Sequence, residues 1–412
     1  MQLTNLYVLA SLTILIVVMN VFIIKLPRNK WEAILGMFYR NFHCIRPISN
    51  SDHATIIIAN HPNAFIDPFA IEAALGIKLT RTVRADWTKH WLVRWFANAV
   101  GAIPIASKNS NKQAFKRLIN TLDSGRAVIL FPEGQSHNRS KLKTFKKGTA
   151  HLVKQYVEAT GKPIRVVKVA LYYENKSELN SDVWVDVVGE TIYTDNQFNI
   201  CEQTKLWQQQ INDSLPHYNR TADKQRLNWA LQTIMSINPS LLTSLNVLKT
   251  ASTTGQMTLL RHWLSRAQYN LGTLKTKQNT FCHLAMAVAH TGVFITGIPI
   301  LMFGAMLNAP AALAHYALTS WQSNAEDKWA SNAFILGMSI YSVYWLVLVL
   351  VSSPLTALAI AASGIYANYF AQTWGDRKRK LTTHFGCISQ PQACDYIRTI
   401  AFETVEPQLK PD

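Results

Sequence analysis

From Gln278 to Ala325 the chain runs 48 residues without Asp, Glu, Lys or Arg, and from Trp329 to Gly375 it runs 47 more. Only Glu326, Asp327 and Lys328 separate the two runs. A helix that faces water needs charge on its outer side, so these runs do not read as soluble core. Each has room for two membrane passages of ~20 residues and a turn. In the second run, Ser352-Ser353-Pro354 divides Ile335–Val351 from Leu355–Phe370, which predicts a hairpin broken at Pro354. In the first, Leu284–Leu307 can span with a kink at Pro299. Asn308-Ala309-Pro310 then opens a shorter apolar piece, ending at Leu318, that reads as interfacial or re-entrant. The outer flanks are basic, with Lys275 and Lys277 before and Arg377-Lys378-Arg379-Lys380 after. The positive-inside bias puts both in the cytosol, so the crossings between them number two or four.

The first charge in the chain is Lys25, after the apolar stretch Leu6–Ile24. Positive residues following rather than preceding that stretch predict a retained anchor with its C-terminal end in the cytosol. Composition agrees: 49% of residues are apolar, 16% are charged and the net charge is +17. A chain poor in charge yet strongly basic suits a membrane facing an anionic surface or substrate. Disordered, collagen-like and disulfide-scaffold classes are excluded. Cys44, Cys201, Cys282, Cys387 and Cys394 have no metal spacing and read as reduced thiols.

Between the apolar ends, residues 51 to 192 alternate short strands with helices. The strands are Thr55–Ala59, Ala102–Ala106, Ala127–Phe131, Ile164–Leu171 and Val183–Val188, the last with an antiparallel edge over Val183–Val187. Helical spacing covers Pro68–Leu75, Trp87–Val100, Asn111–Leu122 and Gly148–Ala159. The expected fold class is an α/β domain, a mixed sheet flanked by helices, with an N-terminal membrane anchor, a helical extension and C-terminal membrane hairpins. The expected divisions are an anchor over 1–30, the α/β domain over 31–200, a helical, interfacial segment over 201–277, a membrane region over 278–376 and a cytosolic tail over 377–412. Trp87, Trp91 and Trp95 recur every four residues, a stripe that packs a core or docks at a headgroup level. No Walker loop, dinucleotide fingerprint, zincin motif or nucleic-acid module is present.

The first strand runs into Asn60-His61-Pro62-Asn63-Ala64-Phe65-Ile66-Asp67-Pro68. Loops after the C-terminal ends of strands are where α/β folds gather reactive groups. His61 is the one side chain there suited to shuttling a proton near neutral pH, and Asp67 can return to one of its ring nitrogens. Equally, Asp67 before Pro68 suits an N-cap followed by proline at the first helical position. A second strand end carries Phe131-Pro132-Glu133-Gly134-Gln135-Ser136-His137, then Lys141, Lys143, Lys146 and Lys147. Gly134 permits a turn whose amides face an anion, and Glu133 offers a carboxylate to polyol hydroxyls.

Together the two segments resemble the glycerol-phosphate (glycerolipid) acyltransferase family over roughly residues 55 to 192. Asn60-His61 with Asp67 is similar to its catalytic block, Gly101–Ile105 to its second, Phe131–Gly134 with Ser136 to its third, and Val166–Leu171 to its fourth. Five residues separate His61 from Asp67 where the family usually has four. This variant resembles the fungal-type glycerol 3-phosphate/dihydroxyacetone phosphate acyltransferases and bacterial relatives with C-terminal membrane helices. The second block ends in Ser107 rather than Arg, with Lys108 next, and the fourth lacks its usual Pro.

The resemblance implies transfer of a fatty acyl group from a thioester to glycerol 3-phosphate or lysophosphatidic acid in phospholipid biosynthesis. His61 is the implied general base, oriented by Asp67. Glu133, Gly134 and Ser136 hold the glycerol, and Lys108, Arg84 and Lys147 its phosphate. It implies no bound cofactor and no metal. Acyl-CoA or acyl-acyl carrier protein is the donor substrate, and the partners are membrane lipids, a phosphorylated glycerol acceptor and the carrier protein, not nucleic acid. The enzyme would be integral to a membrane, its active domain on the cytosolic face. Two alternatives stay open: a lysophospholipid acyltransferase or transacylase on a larger headgroup, and a non-catalytic lipid-binding scaffold.

Overall fold

In a computed structural model the described residues are 27–408, apart from residues 90, 107–111, 139–140, 219–220, 238–241, 243–254, 276 and 324–325. The expected anchor at Leu6–Ile24 and the candidate ligand Lys108 lie outside them.

Six strands form one mixed sheet: β1 (Asn41–Cys44), β2 (Ala54–Ala59), β3 (Leu79–Thr80), β6 (Ala127–Leu130), β7 (Ile164–Tyr173) and β8 (Asp182–Tyr193), in the order β1-β8-β7-β2-β6-β3. Neighbours are parallel except β7 and β8. The short strands β4 (Thr82–Arg84) and β5 (Ile103–Ile105) pair in parallel beside it. β2, of sequence Ala-Thr-Ile-Ile-Ile-Ala, is buried throughout because helices cover both faces of the sheet. Its side chains alternate, Ile56 and Ile58 entering one core and Ile57 and Ala59 the other. β8 is antiparallel as expected but is not an edge, because β1 pairs along its outer side. β1, with His43 and only one fully buried residue, carries too little alternation to stand out in the sequence.

The helices of the α/β part are α1 (Lys30–Leu35), α2 (Asp67–Leu75), α3 (Trp91–Ala99), α4 (Lys112–Asp123) and α5 (Gly148–Thr160). On α3, Trp95 is 63% exposed, so it is not core. Next come α6 (Ile200–Ser214), α7 (Thr221–Ile237), α8 (Gly255–Ala267) and α9 (Leu271–Leu274). These place Trp207, Ile211, Leu231, Ile234 and Leu260 in the same core as Ile56 and Ile58. The described part of the segment 201–277 therefore packs over the sheet.

The C-terminal helices are α10 (Thr280–Gln322), α11 (Glu326–Val351), α12 (Pro354–Ser389) and α13 (Pro391–Arg398). Two helices among the described residues, Thr280–Gln322 and Lys328–Val351, are long and apolar enough to cross a membrane. The first apolar run is one helix with Pro299 and Pro310 inside it, not a span followed by a separate piece. Each proline removes one backbone hydrogen bond, and the flanking turns carry the helix across. The second run breaks where expected, with Pro354 opening α12.

Helices α10 and α12 run antiparallel in close contact. A Cβ on Gly297 would stand 2.2 Å from the Phe370 ring, and one on Gly304 2.2 Å from the Ser363 carbonyl. Small residues let the backbones approach where apolar burial alone gives no preference. The segment expected as a tail is packed: Cys394, Ile397, Ala401 and Val405 join the core that holds Trp207.

Candidate active site

Parallel pairing of β2 with β6 puts Ile58 opposite Leu130. His61 and Glu133 each follow three residues later, so register alone brings the two loops side by side at the C-terminal ends of the strands. Asn60 fixes the exit from β2: its amide donates to the Leu171 carbonyl at 2.8 Å and its side-chain carbonyl accepts the Leu171 N–H at 2.7 Å.

His61 Nδ1 lies 2.7 Å from Asp67 Oδ2. The same oxygen accepts the Asn63 N–H at 2.9 Å, and Asp67 Oδ1 accepts the Tyr173 hydroxyl at 2.8 Å. Asp67 is fully buried. Its carboxylate does not cap a helix: α2 begins at Asp67 itself, with Ile66 before it. A carboxylate only accepts, so Nδ1 carries a hydrogen, and in the neutral imidazole Nε2 is then the nitrogen with the lone pair. Nε2 has no hydrogen-bond partner among the described residues. The imidazole stacks on Phe131, with centroids 4.2 Å apart and planes 14° apart. Burial, with the Asp67 carboxylate beside it, pushes the Tyr173 phenol well above its ordinary value, so this hydroxyl is a fixed donor.

Glu133 faces inward. Its Oε1 accepts the His61 N–H at 2.7 Å and its Oε2 accepts the Lys143 N–H at 2.7 Å, with His137 Nε2 on the same oxygen. At 3% exposure it ties the two loops together and turns no free carboxylate toward solvent. Gly134 has φ +74°, a conformation that a Cβ resists. Its N–H donates to the Phe131 carbonyl at 2.9 Å rather than to open space. The Lys146 side chain lies across Gly134, where a Cβ would stand 2.5 Å from its Nζ.

The other candidates are more dispersed. Ser136 follows in the same loop, half-buried. Arg84 ends β4 and pairs with Asp86, and Lys147 precedes α5 with its side chain exposed. Neither makes a hydrogen bond to His61, Asp67 or Glu133 among the described residues. Reading the sequence missed Asn63, Tyr173, Lys143 and His137, and also Lys176. The Lys176 ammonium bridges the Pro62 carbonyl at 3.2 Å and Asn138 Oδ1 at 2.7 Å. The His at the fourth position after Glu133 left a signal in the spacing; Asn63 and Lys143 act through backbone N–H groups within their own loops, which residue type does not mark, and Tyr173 and Lys176 come from far along the chain.

A family model described as acyltransferase matches residues 39–171. A curated relative, the chloroplastic 1-acyl-sn-glycerol-3-phosphate acyltransferase LPAT1 of Arabidopsis thaliana, is 27% identical over 122 residues, 29% of this chain. The match spans about a third of that relative's length, 34%. Among solved structures, the 1-acyl-sn-glycerophosphate (LPA) acyltransferase PlsC from Thermotoga maritima aligns over 42% of this chain and 70% of its own, at 15% identity and a TM-score of 0.31. The stretch similar to the acyltransferase family is thus the one that carries His61, Asp67 and Glu133.

Proposed function

We propose that the protein is a membrane-associated glycerolipid O-acyltransferase that moves a fatty acyl group from a thioester to the hydroxyl of a phosphate-bearing glycerol. The observation that carries this reading is His61, held through Nδ1 by a buried aspartate and presenting Nε2 beside the Phe131–Gly134 turn. Similarity to the acyltransferase family over residues 39–171 supports it.

In the proposed reaction, Nε2 takes the proton of the acceptor hydroxyl as its oxygen attacks the thioester carbonyl. The Asp67 carboxylate stabilises the imidazolium that forms. The tetrahedral intermediate collapses with cleavage of the C–S bond, and the imidazolium returns its proton to the leaving thiolate. No acyl-enzyme is formed, so no nucleophilic Ser or Cys is required. Glu133 acts by positioning: it holds the His61 backbone and the Lys143 loop rather than the glycerol. Lys146, across the face of Gly134, and Lys147 supply positive charge for the acceptor phosphate, with Lys108 and Arg84 as further candidates.

The acceptor is glycerol 3-phosphate or lysophosphatidic acid. The five-residue spacing between His61 and Asp67 favours the fungal-type branch and hence glycerol 3-phosphate, while the name of the curated relative favours the 1-acyl acceptor. The donor is acyl-CoA or acyl carrier protein. The long apolar helices embed in the bilayer and the basic flanks keep the catalytic face cytosolic.

The test is mass spectrometry of lipids formed by purified full-length protein with oleoyl-CoA and either acceptor. Wild type should yield lysophosphatidic or phosphatidic acid, and His61→Ala should lose about 10²–10⁴ in rate. A His61→Ala protein with undiminished transfer would refute the reading.

A further inference from the structure

The loop between His61 and Asp67 contains a backbone conformation that its own sequence disfavours. Ala64 sits at φ +44°, in the left-handed region that residues with a Cβ rarely adopt. Here the loop absorbs one residue more than the usual spacing. The peptide groups on either side of Ala64 are both held by one side chain from far along the chain. Ser331 Oγ accepts the Phe65 N–H at 3.1 Å and donates to the Asn63 carbonyl at 3.2 Å. Ser331 is 4% exposed, on the first turns of α11. Its neighbours Ala330, Ala333 and Phe334 join the core that holds Ile66 and Phe69. The next link is direct, because the Asn63 N–H donates to the Asp67 oxygen that faces His61.

We propose that Ser331 is a positioning residue, whose hydroxyl clamps the left-handed turn at Ala64 and so holds Asp67 and His61 in register. The C-terminal apolar helices then complete the site rather than merely anchoring it. The inference rests on the acyltransferase reading only for its activity readout. Without the hydroxyl, the Phe65 N–H loses its contact with Ser331 and the Asn63 carbonyl keeps the local Ile66 N–H at 3.2 Å, which closes the turn from one side only. Ala64 then relaxes toward ordinary φ, and the Asn63 N–H leaves Asp67. Since Ser331 touches no reacting atom, the loss falls on kcat. Glycine enters the left-handed region freely, so Ala64→Gly should hold the turn without the clamp.

The experiment compares full-length wild type, Ser331→Ala, Ser331→Thr, Ala64→Gly and Ala64→Gly/Ser331→Ala in phospholipid vesicles, with oleoyl-CoA and both acceptors. Ser331→Ala should lower kcat about 10–100-fold with KM within about twofold, as expected for a small displacement of a catalytic group. Ser331→Thr, which keeps the hydroxyl, should restore most of it. The double variant should return to within about threefold of Ala64→Gly alone, a non-additivity that independent sites do not show. Wild-type kcat in Ser331→Ala, or a double variant no better than Ser331→Ala, overturns the clamp. Hydrogen exchange of the peptide over residues 63–67 reads the same contact without turnover: it should quicken in Ser331→Ala while β2 and β7 stay protected. Unchanged exchange sinks the clamp alone, whereas a wild-type protein inert toward both acceptors sinks the proposed function and leaves the exchange result standing. Should Ser331→Ala fail to fold, recovery of folded protein in the double variant supports the clamp and equal failure overturns it.

Discussion

Two histidine–aspartate pairs stand at the same end of the sheet, and each ring stacks on an aromatic neighbour. His61 meets Asp67 at 2.7 Å and lies on Phe131; His43 meets Asp182 at 3.2 Å and lies on Trp184, with centroids 3.8 Å apart. What separates them is the company each carboxylate keeps. Asp67 is held by a phenol, a backbone amide and the imidazole, with no cation in contact among the described residues. Asp182 is bound by the Arg40 guanidinium at 2.9 Å and the Asn41 amide as well as by His43. Its charge is already matched, so His43 is one donor among several. The settings differ too. His61 lies in a loop facing the Pro-Glu-Gly turn, whereas His43 lies within β1, its backbone in register with Trp184. A His–Asp contact is therefore not in itself a site. On the proposed reading it becomes one where the aspartate has no other cation among the described residues and the far nitrogen faces a second loop.

The most damaging way to break this contrast is Asp67→Asn. Three donors converge on the two carboxylate oxygens, from His61, Asn63 and Tyr173. An amide replaces one oxygen with a donor, so it either faces the imidazole and the Asn63 N–H where Oδ2 stood or makes the Tyr173 hydroxyl accept where Oδ1 stood, and the ring can adopt the wrong tautomer. Transfer should fall about 10²–10⁴-fold with little change in acceptor KM. Steady-state kinetics on vesicles checks this, and a loss confined to KM would mean that Asp67 serves binding.

Glu133→Gln should have a smaller effect. Its oxygens accept the His61 and Lys143 N–H groups, and glutamine can keep only one of the two. The His61 backbone shifts while the His61–Asp67 contact survives, so kcat should drop about 10–100-fold. Stability should fall by about 1–3 kcal/mol, the cost of a buried amide facing another donor. A fall in acceptor affinity with unchanged kcat and melting temperature would instead restore Glu133 to the role of glycerol ligand.

These two carboxylates also mark what could be read from the chain alone. The strand–helix alternation over residues 51 to 192 and the break at Pro354 were legible, because apolar periodicity and turn residues are local signals, whereas the grouping of His61, Asp67 and Glu133 came from the family resemblance and not from spacing. The inward aim of Glu133 was not legible. It depends on β2 pairing with β6 in the register Ile58–Leu130, and register is set across a gap of more than seventy residues. Ser331 was silent for the same reason: a serine in an apolar helix has no local mark of its partner. Pro299 stands inside α10 as expected, but the continuity of the helix through Pro310 was misread, because proline is a breaker only where neighbouring helices do not support the turn.

The mildest prediction sharpens the comparison from the other pair. Burial alone would raise the Asp182 carboxyl, but the hydrogen bond from His43 and the Arg40 guanidinium bring it down to about 2 from its ordinary 3.8. A carboxylate depressed in the fold stabilises it above its unfolded value, and that contribution is lost as pH falls from about 4 toward 2. At neutral pH a shift of this size corresponds to about 2 kcal/mol. Asp182→Asn should therefore lower the urea midpoint at pH 6 and leave kcat within about twofold, since turnover is not the business of this pair. As the pH is stepped below about 4, the gap between variant and wild type should narrow, because the wild-type carboxylate is being protonated too. A gap that stays constant down to pH 3 would mean that Arg40 and His43 do not hold this charge. A tenfold loss of turnover would mean that the second pair also serves the site.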